Sequence, residues 1–137
     1  PIGEACLVRE GADVTVVTYG PLRHDVVAVA DEMAAARGIE VEVIDLRSLM
    51  PFDVDGIVGS VRRTGRLVVV HEAPLSLGFG AELAATVQQV AFGYLHCPIE
   101  RVAGHDLPYG FAGGDEYYRP NRARIGAAIT RAVEFSF

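Results

Sequence analysis

Residues 67–70, Leu-Val-Val-Val, are apolar without a polar break. A strand of this kind has no face to offer water. It must lie inside a sheet that is covered on both sides, which is the usual setting of a parallel strand. Helical patterns flank it. Before it, Asp53 is placed to cap a helix over 54–64. Arg62 and Arg63 fall in that helix's last turn, where the dipole favours cations, and Gly65 follows. After it, Leu83, Ala84, Val87, Val90 and Ala91 recur on one helical face.

The same alternation runs through the rest of the chain. Val26, Val27, Ala30, Met33 and Ala34 define a helix ended by Gly38. Ile39, Val41 and Val43 alternate with Glu40 and Glu42, which predicts a strand with one wetter face near a sheet edge. A last strand is expected near 98–103. Ile125, Ala128, Ile129, Ala132 and Val133 predict a last helix, with Arg122, Arg124 and Arg131 facing water. Residues 104–120 read as a long loop, of a length that is uncommon without a function or a packing partner. Two short apolar runs, 5–9 and 14–19, open the chain. Glu10-Gly11-Ala12-Asp13 between them suits a hairpin turn, so these two are expected to pair antiparallel. The fold class is α/β: one three-layer α/β/α domain over 1–137, with a mostly parallel sheet and one antiparallel strand from an N-terminal hairpin.

Composition narrows the function. The net charge of −6 among 137 residues argues against nucleic acid, which wants a basic face. No apolar run approaches the ~20 residues of a membrane span. Pro1–Glu4 carries neither the basic start nor the apolar core of a signal peptide, and the expected compartment is the cytoplasm. Cys6 and Cys97 stand far apart in apolar contexts and read as buried thiols.

Candidate chemistry concentrates at His71-Glu72, at the carboxyl end of the central strand, where open α/β sheets bind ligands. Adjacent strand residues point to opposite faces, so the two side chains should not share a site. HEAPL also lacks the second His of a zinc-protease pattern. The pair therefore reads as a hydrogen-bonded strand end or an interface contact. Gly78-Phe79-Gly80 opens a helix, but Leu83 stands where a dinucleotide fingerprint wants a small residue, and Glu82 would repel phosphate. Tight-turn glycines are the better reading. Asp45-Leu46-Arg47 reads as a local charge pair, and Asp106 with Pro108 and Tyr109 as turn chemistry. The four histidines are scattered and no nucleophile motif is present.

Five stretches, REGADVTVVTYG, VEVIDLRSLMPFD, SVRRTGRLVVVHEAP, GFGAE and PIERVAGHDLPYG, follow one another across the chain. In that order they resemble the C-terminal domain of the beta subunit of thiamine-diphosphate-dependent 2-oxo acid dehydrogenases, the transketolase C-terminal type. VVHEAP followed by GF-x-x-E is more similar to the branched-chain than to the pyruvate members. The resemblance implies an assembly and docking domain with no catalytic, cofactor-binding or metal residue of its own. Thiamine diphosphate would lie between the alpha subunit and an N-terminal beta domain expected before residue 1.

The resemblance further implies beta-to-beta packing, for which Glu72, Phe79 and Glu82 are the candidates. It also implies docking of the subunit-binding domain of a dihydrolipoyl acyltransferase by acidic groups, including a C-terminal carboxylate. Those candidates are Phe137, Glu100 and His96, which stands where the family often has an acid. The family also commonly has a second Pro where Gly110 stands. Rival readings are the same domain of a pyruvate dehydrogenase or other transketolase-like enzyme, or a free-standing anion- or nucleotide-binding α/β domain.

Overall fold

The computed structural model describes residues 1–109 and 114–137. The elements are β1 (Cys6–Arg9), β2 (Val14–Thr18), α1 (Leu22–Arg37), β3 (Val41–Asp45), α2 (Val54–Thr64), β4 (Leu67–Pro74), α3 (Phe79–Ala91), β5 (Glu100–Gly104), α4 (Asp115–Tyr118) and α5 (Arg122–Glu134). A 3-10 turn, Phe92–Tyr94, follows α3. The strands form one sheet in the order β1-β3-β2-β4-β5. β2, β3, β4 and β5 run parallel, and β1 is antiparallel to β3.

Strand alternation divides the core into two faces. Val14, Val16, Val41, Val43, Val68, Val70 and Val102 pack under α1 and α5. Val17, Ile44, Leu67 and Val69 pack under α2 and α3. The helix ends follow the capping rules. Asp53 accepts the Gly56 N–H at 2.8 Å, Asn121 accepts that of Arg124, and Gly38 and Gly65 take left-handed φ of 66° and 70° at the C-caps.

Five expectations need correction. β1 does not form a hairpin with β2, because β3 lies between them. The Glu10–Asp13 segment steps across β3: Asp13 accepts the Glu40 N–H at 2.7 Å, and the Ala12 and Asp13 N–H groups both donate to the Glu40 carbonyl. Gly11 lies so close to Val41 that a Cβ there would sit 2.2 Å from its carbonyl carbon. The parallel β2–α1–β3 crossover claims the edge of β2 that a hairpin would have used.

Glu42 is not on a wet face. It is 3% exposed beneath α2, accepting from Ser60 Oγ and Arg63 Nη2, each at 2.5 Å. Arg124 does not face water freely: it is half-buried and its Nη2 donates to the Ala103 carbonyl at 2.7 Å. The Asp45 carboxylate has Arg23 as its cation at 3.7 Å, while Arg47 contributes only its backbone N–H. Cys97 is buried but Cys6 is only half-buried. The loop after β5 carries α4, and Gly110 lies outside the described residues.

Candidate functional site

The structure sorts the candidate residues to opposite ends of the sheet. At the carboxyl end of the strands, β4 carries His71 and Glu72 to opposite faces. His71 is 1% exposed and sits on the α3 side. Its Nε2 accepts the Gly80 N–H at 2.8 Å, so Nδ1 holds the proton and donates to the Ala73 carbonyl at 3.0 Å. Burial pulls its pKa below the ordinary imidazole value, and the Arg101 charge adds to this. Glu72 faces the other side, where Oε1 meets Arg119 Nη2 at 2.8 Å. The contact lacks hydrogen-bond alignment and is an ion pair.

Phe79 wedges edge-on between Tyr19 and Phe52, at 6.2 and 5.4 Å between ring centroids. Burial, with the charge of Glu72 behind it, raises the Tyr19 pKa. Of the three interface candidates, Phe79 is thus partly committed to its own chain, Glu72 is paired with Arg119, and Glu82 is exposed. Asp106 reaches across to the turn and accepts from both the backbone and the hydroxyl of Ser76, which lowers its pKa.

Sequence reading missed what stands on that turn. Leu77 is 103% exposed and holds a left-handed φ of 62°, a conformation that a branched aliphatic side chain rarely adopts. Met50 is also exposed, on the loop before α2. No periodicity marks such residues, because they lie outside regular elements.

The Gly78–Gly80 turn does not fit a phosphate. The Gly80 N–H is already taken by His71, and a Cβ on Gly78 would lie 2.0 Å from the Pro74 carbonyl oxygen. The glycines let the turn close on the strand. The diphosphate of thiamine diphosphate therefore finds no cradle at this turn. Among the described residues no group of three His, Cys, Asp or Glu is placed to hold a metal. No described helix is long and apolar enough to cross a membrane.

At the amino end of the strands, the α3–β5 connection and the tail after α5 enclose a groove of about 530 Å³. Phe92, Leu95, Ile99, Phe135 and Phe137 line it, over the buried Cys97. Phe137 is fully exposed at its lip and meets Phe135 edge-on at 5.1 Å, and Phe92 is 70% exposed. Burial, the largest effect, raises the Cys97 pKa, which keeps its sulfur a neutral thiol.

The predicted Phe137 and Glu100 do come together here, through neighbouring depressions that share Cys97, Pro98 and Phe135. Glu100 is not a free acid, since its carboxylate accepts from Arg131 Nε and Nη2 at 3.1 and 2.7 Å. Glu134 is likewise paired, with Arg37. His96 stands apart from the groove lining. Its backbone donates to the Gly65 carbonyl at 2.8 Å and its ring lies over Gly65, at the C-terminus of α2. Phe92 and Tyr94 were not singled out from sequence. Tyr94 stacks beneath Arg62, 5.0 Å from its ring centroid.

Residues 3–125 match the family described as the C-terminal domain of transketolase. The chain is 48% identical over 134 residues to the 2-oxoisovalerate dehydrogenase subunit beta of Pseudomonas aeruginosa, covering 98% of this chain and 37% of that protein. It is 45% identical over 133 residues to the 3-methyl-2-oxobutanoate dehydrogenase subunit beta of Mycobacterium tuberculosis, covering 97% and 38%. A mitochondrial 2-oxoisovalerate dehydrogenase subunit beta of Dictyostelium discoideum is 36% identical over 135 residues, covering 98% of this chain and 36% of that protein. Among solved structures, a split-gene transketolase described as an inactive beta4 tetramer superposes with a TM-score of 0.79 at 30% identity. That match covers 97% of this chain and 42% of the other. The chain thus spans less than two-fifths of the length of these dehydrogenase subunits.

Proposed function

The chain belongs to the transketolase C-terminal domain family, and from that premise we propose that it is the assembly and docking domain of the beta subunit of a branched-chain 2-oxo acid dehydrogenase. The whole enzyme would decarboxylate a branched 2-oxo acid on thiamine diphosphate and pass the acyl group to a lipoyl carrier. The cofactor supplies the carbanion chemistry, held by a preceding beta domain and the alpha subunit. This chain's own residues hold the assembly together. Identity to the bacterial relatives, at 48% and 45% against 36% and 40% for two mitochondrial ones, favours the cytoplasm.

The observation that carries the docking half is the apolar groove bounded by Phe92, Phe135 and Phe137. Its occupant is the subunit-binding domain of the acyltransferase. With Glu100 and Glu134 already paired to arginines, ring burial contributes more here than free acidic charge. Aromatic anchors at the centre of an interface commonly dominate its energy. The packing half rests on Leu77, Met50 and Phe79 at the opposite end, with a second beta chain as occupant. The beta4 assembly named for the transketolase neighbour is in keeping with self-association.

Calorimetry of the full dehydrogenase against the isolated subunit-binding domain tests the docking reading. Removing 135–137 should weaken binding at least about tenfold, the effect of losing an aromatic hot spot. Equal affinity with and without those residues would remove the groove from the interface.

A further inference from the structure

The φ of 62° at Leu77 is one that glycine adopts freely and leucine does not. The side chain is fully exposed, so the fold gains no burial from this leucine to offset the strain. Such a conformation persists only where the surroundings over-determine it.

The surroundings do so from two sides. Toward α3, Gly78 closes on the Pro74 carbonyl and the Gly80 N–H is tied to His71. From the other side the loop after β5 clasps the turn. Asp106 accepts the Ser76 N–H at 2.9 Å through one carboxylate oxygen and the Ser76 hydroxyl through the other. The Leu75 N–H donates to the Gly104 carbonyl at 3.0 Å, and Arg101 Nη1 donates to the Leu75 carbonyl at 3.0 Å. Arg101 alternates with the core residue Val102, so it reaches the turn from the α3 face of the sheet. Ser76 therefore has both of its donors on one carboxylate, thirty residues away. Leu107 follows Asp106, while Leu75 and Leu77 flank Ser76. All three leucines are exposed, and the one carboxylate joins the two loops that carry them.

We propose that Asp106 is a positioning residue for the contact between beta chains: by clasping Ser76 it holds Leu77, with Leu75 and Leu107, as one preformed apolar anchor. This deepens the packing reading and rests on a second beta chain covering Leu77. A loop already ordered in its bound shape loses less freedom on association, so the clasp acts on affinity without touching the partner.

Sedimentation equilibrium of the full beta subunit tests this. Asp106→Ala should weaken self-association about tenfold, the effect of losing a charge-assisted hydrogen bond. Asp106→Asn should bring it back to within about threefold of the parent, because the amide can accept the Ser76 N–H and donate to the hydroxyl. Leu77→Ala should weaken association at least about tenfold, as for an apolar hot spot. Adding Asp106→Ala to Leu77→Ala should then cost less than Asp106→Ala costs alone. A clasp that serves only the fold would lower the melting temperature of Asp106→Ala and leave its dissociation constant unchanged. That result, beside a weakened Leu77→Ala, would overturn the proposal and leave the packing reading standing. Equal losses from Asp106→Ala with and without Leu77 would make Asp106 a direct contact and would also overturn it. Unchanged association in Leu77→Ala would remove the proposal together with the packing reading at this turn.

Discussion

His71 holds the corner between β4 and α3 through both ring nitrogens, and this arrangement requires the neutral ring. A proton on Nε2 would face the Gly80 N–H across 2.8 Å. Since burial lowers the folded-state pKa, the unfolded chain binds more protons than the folded one below about pH 6.5, the ordinary imidazole value. Stability from this residue is therefore complete above that pH and is lost as the pH falls. Urea unfolding from pH 7.5 to about 5.5 should show that decline, and His71→Gln should flatten it. His71→Ala should cost about 2–4 kcal/mol at neutral pH, from the orphaned N–H and the cavity left behind. Gly80→Ala gives a second check. Alanine favours a helix by about 1 kcal/mol. Its Cβ would meet His71 Nε2 at 2.2 Å, however, and the net result should be a lower melting temperature. The sequence places this histidine at the strand end correctly and separates it from Glu72 by strand alternation. Its burial was not legible, because the Gly80 N–H that donates to it comes from nine residues away.

At the scale of elements, α2 is fastened by more than its apolar stripe. Thr15 of β2, Glu42 of β3, and Ser60, Arg63 and Thr64 of α2 form one polar cluster under the helix. Only the Arg63 end reaches water. Ser60→Ala leaves the buried Glu42 short of a donor and should destabilise the fold by about 1–3 kcal/mol, read as a lower urea midpoint at unchanged slope. Asp53 joins two elements: it caps α2 and its other oxygen accepts the Ala5 N–H at 3.0 Å just before β1. Asp53→Ala should cost about 0.5–2 kcal/mol. Helix limits were legible because Asp53, Gly38 and Gly65 act locally. The partner of β1 was not. Turn residues between two apolar runs imply a hairpin, and the strand that displaces it lies a whole helix further along. Glu42 misled in the same way, since its alternation marks a polar position and says nothing of the serine and arginine that meet it under α2.

For the whole molecule, the two ends of the parallel strands have different tasks in the proposed assembly. The amino end presents Phe92 and Phe137 around a groove, and the carboxyl end presents Leu77 and Met50 around the Phe79 wedge. Family membership was legible from five short stretches spread along the chain, and it directed attention to Phe137 and Glu100. The aromatic groove itself was not legible, because it is assembled from a 3-10 turn, a strand approach and the tail after α5. Two variants of the full beta subunit test the division directly. Phe92→Ser and Leu77→Asp would each be measured for acyltransferase binding by calorimetry and for beta–beta association by sedimentation. The account predicts that Phe92→Ser loses acyltransferase binding and keeps the association, and that Leu77→Asp does the reverse. If either variant loses both properties while folded, or neither variant loses its own, the assignment of the two ends is contradicted.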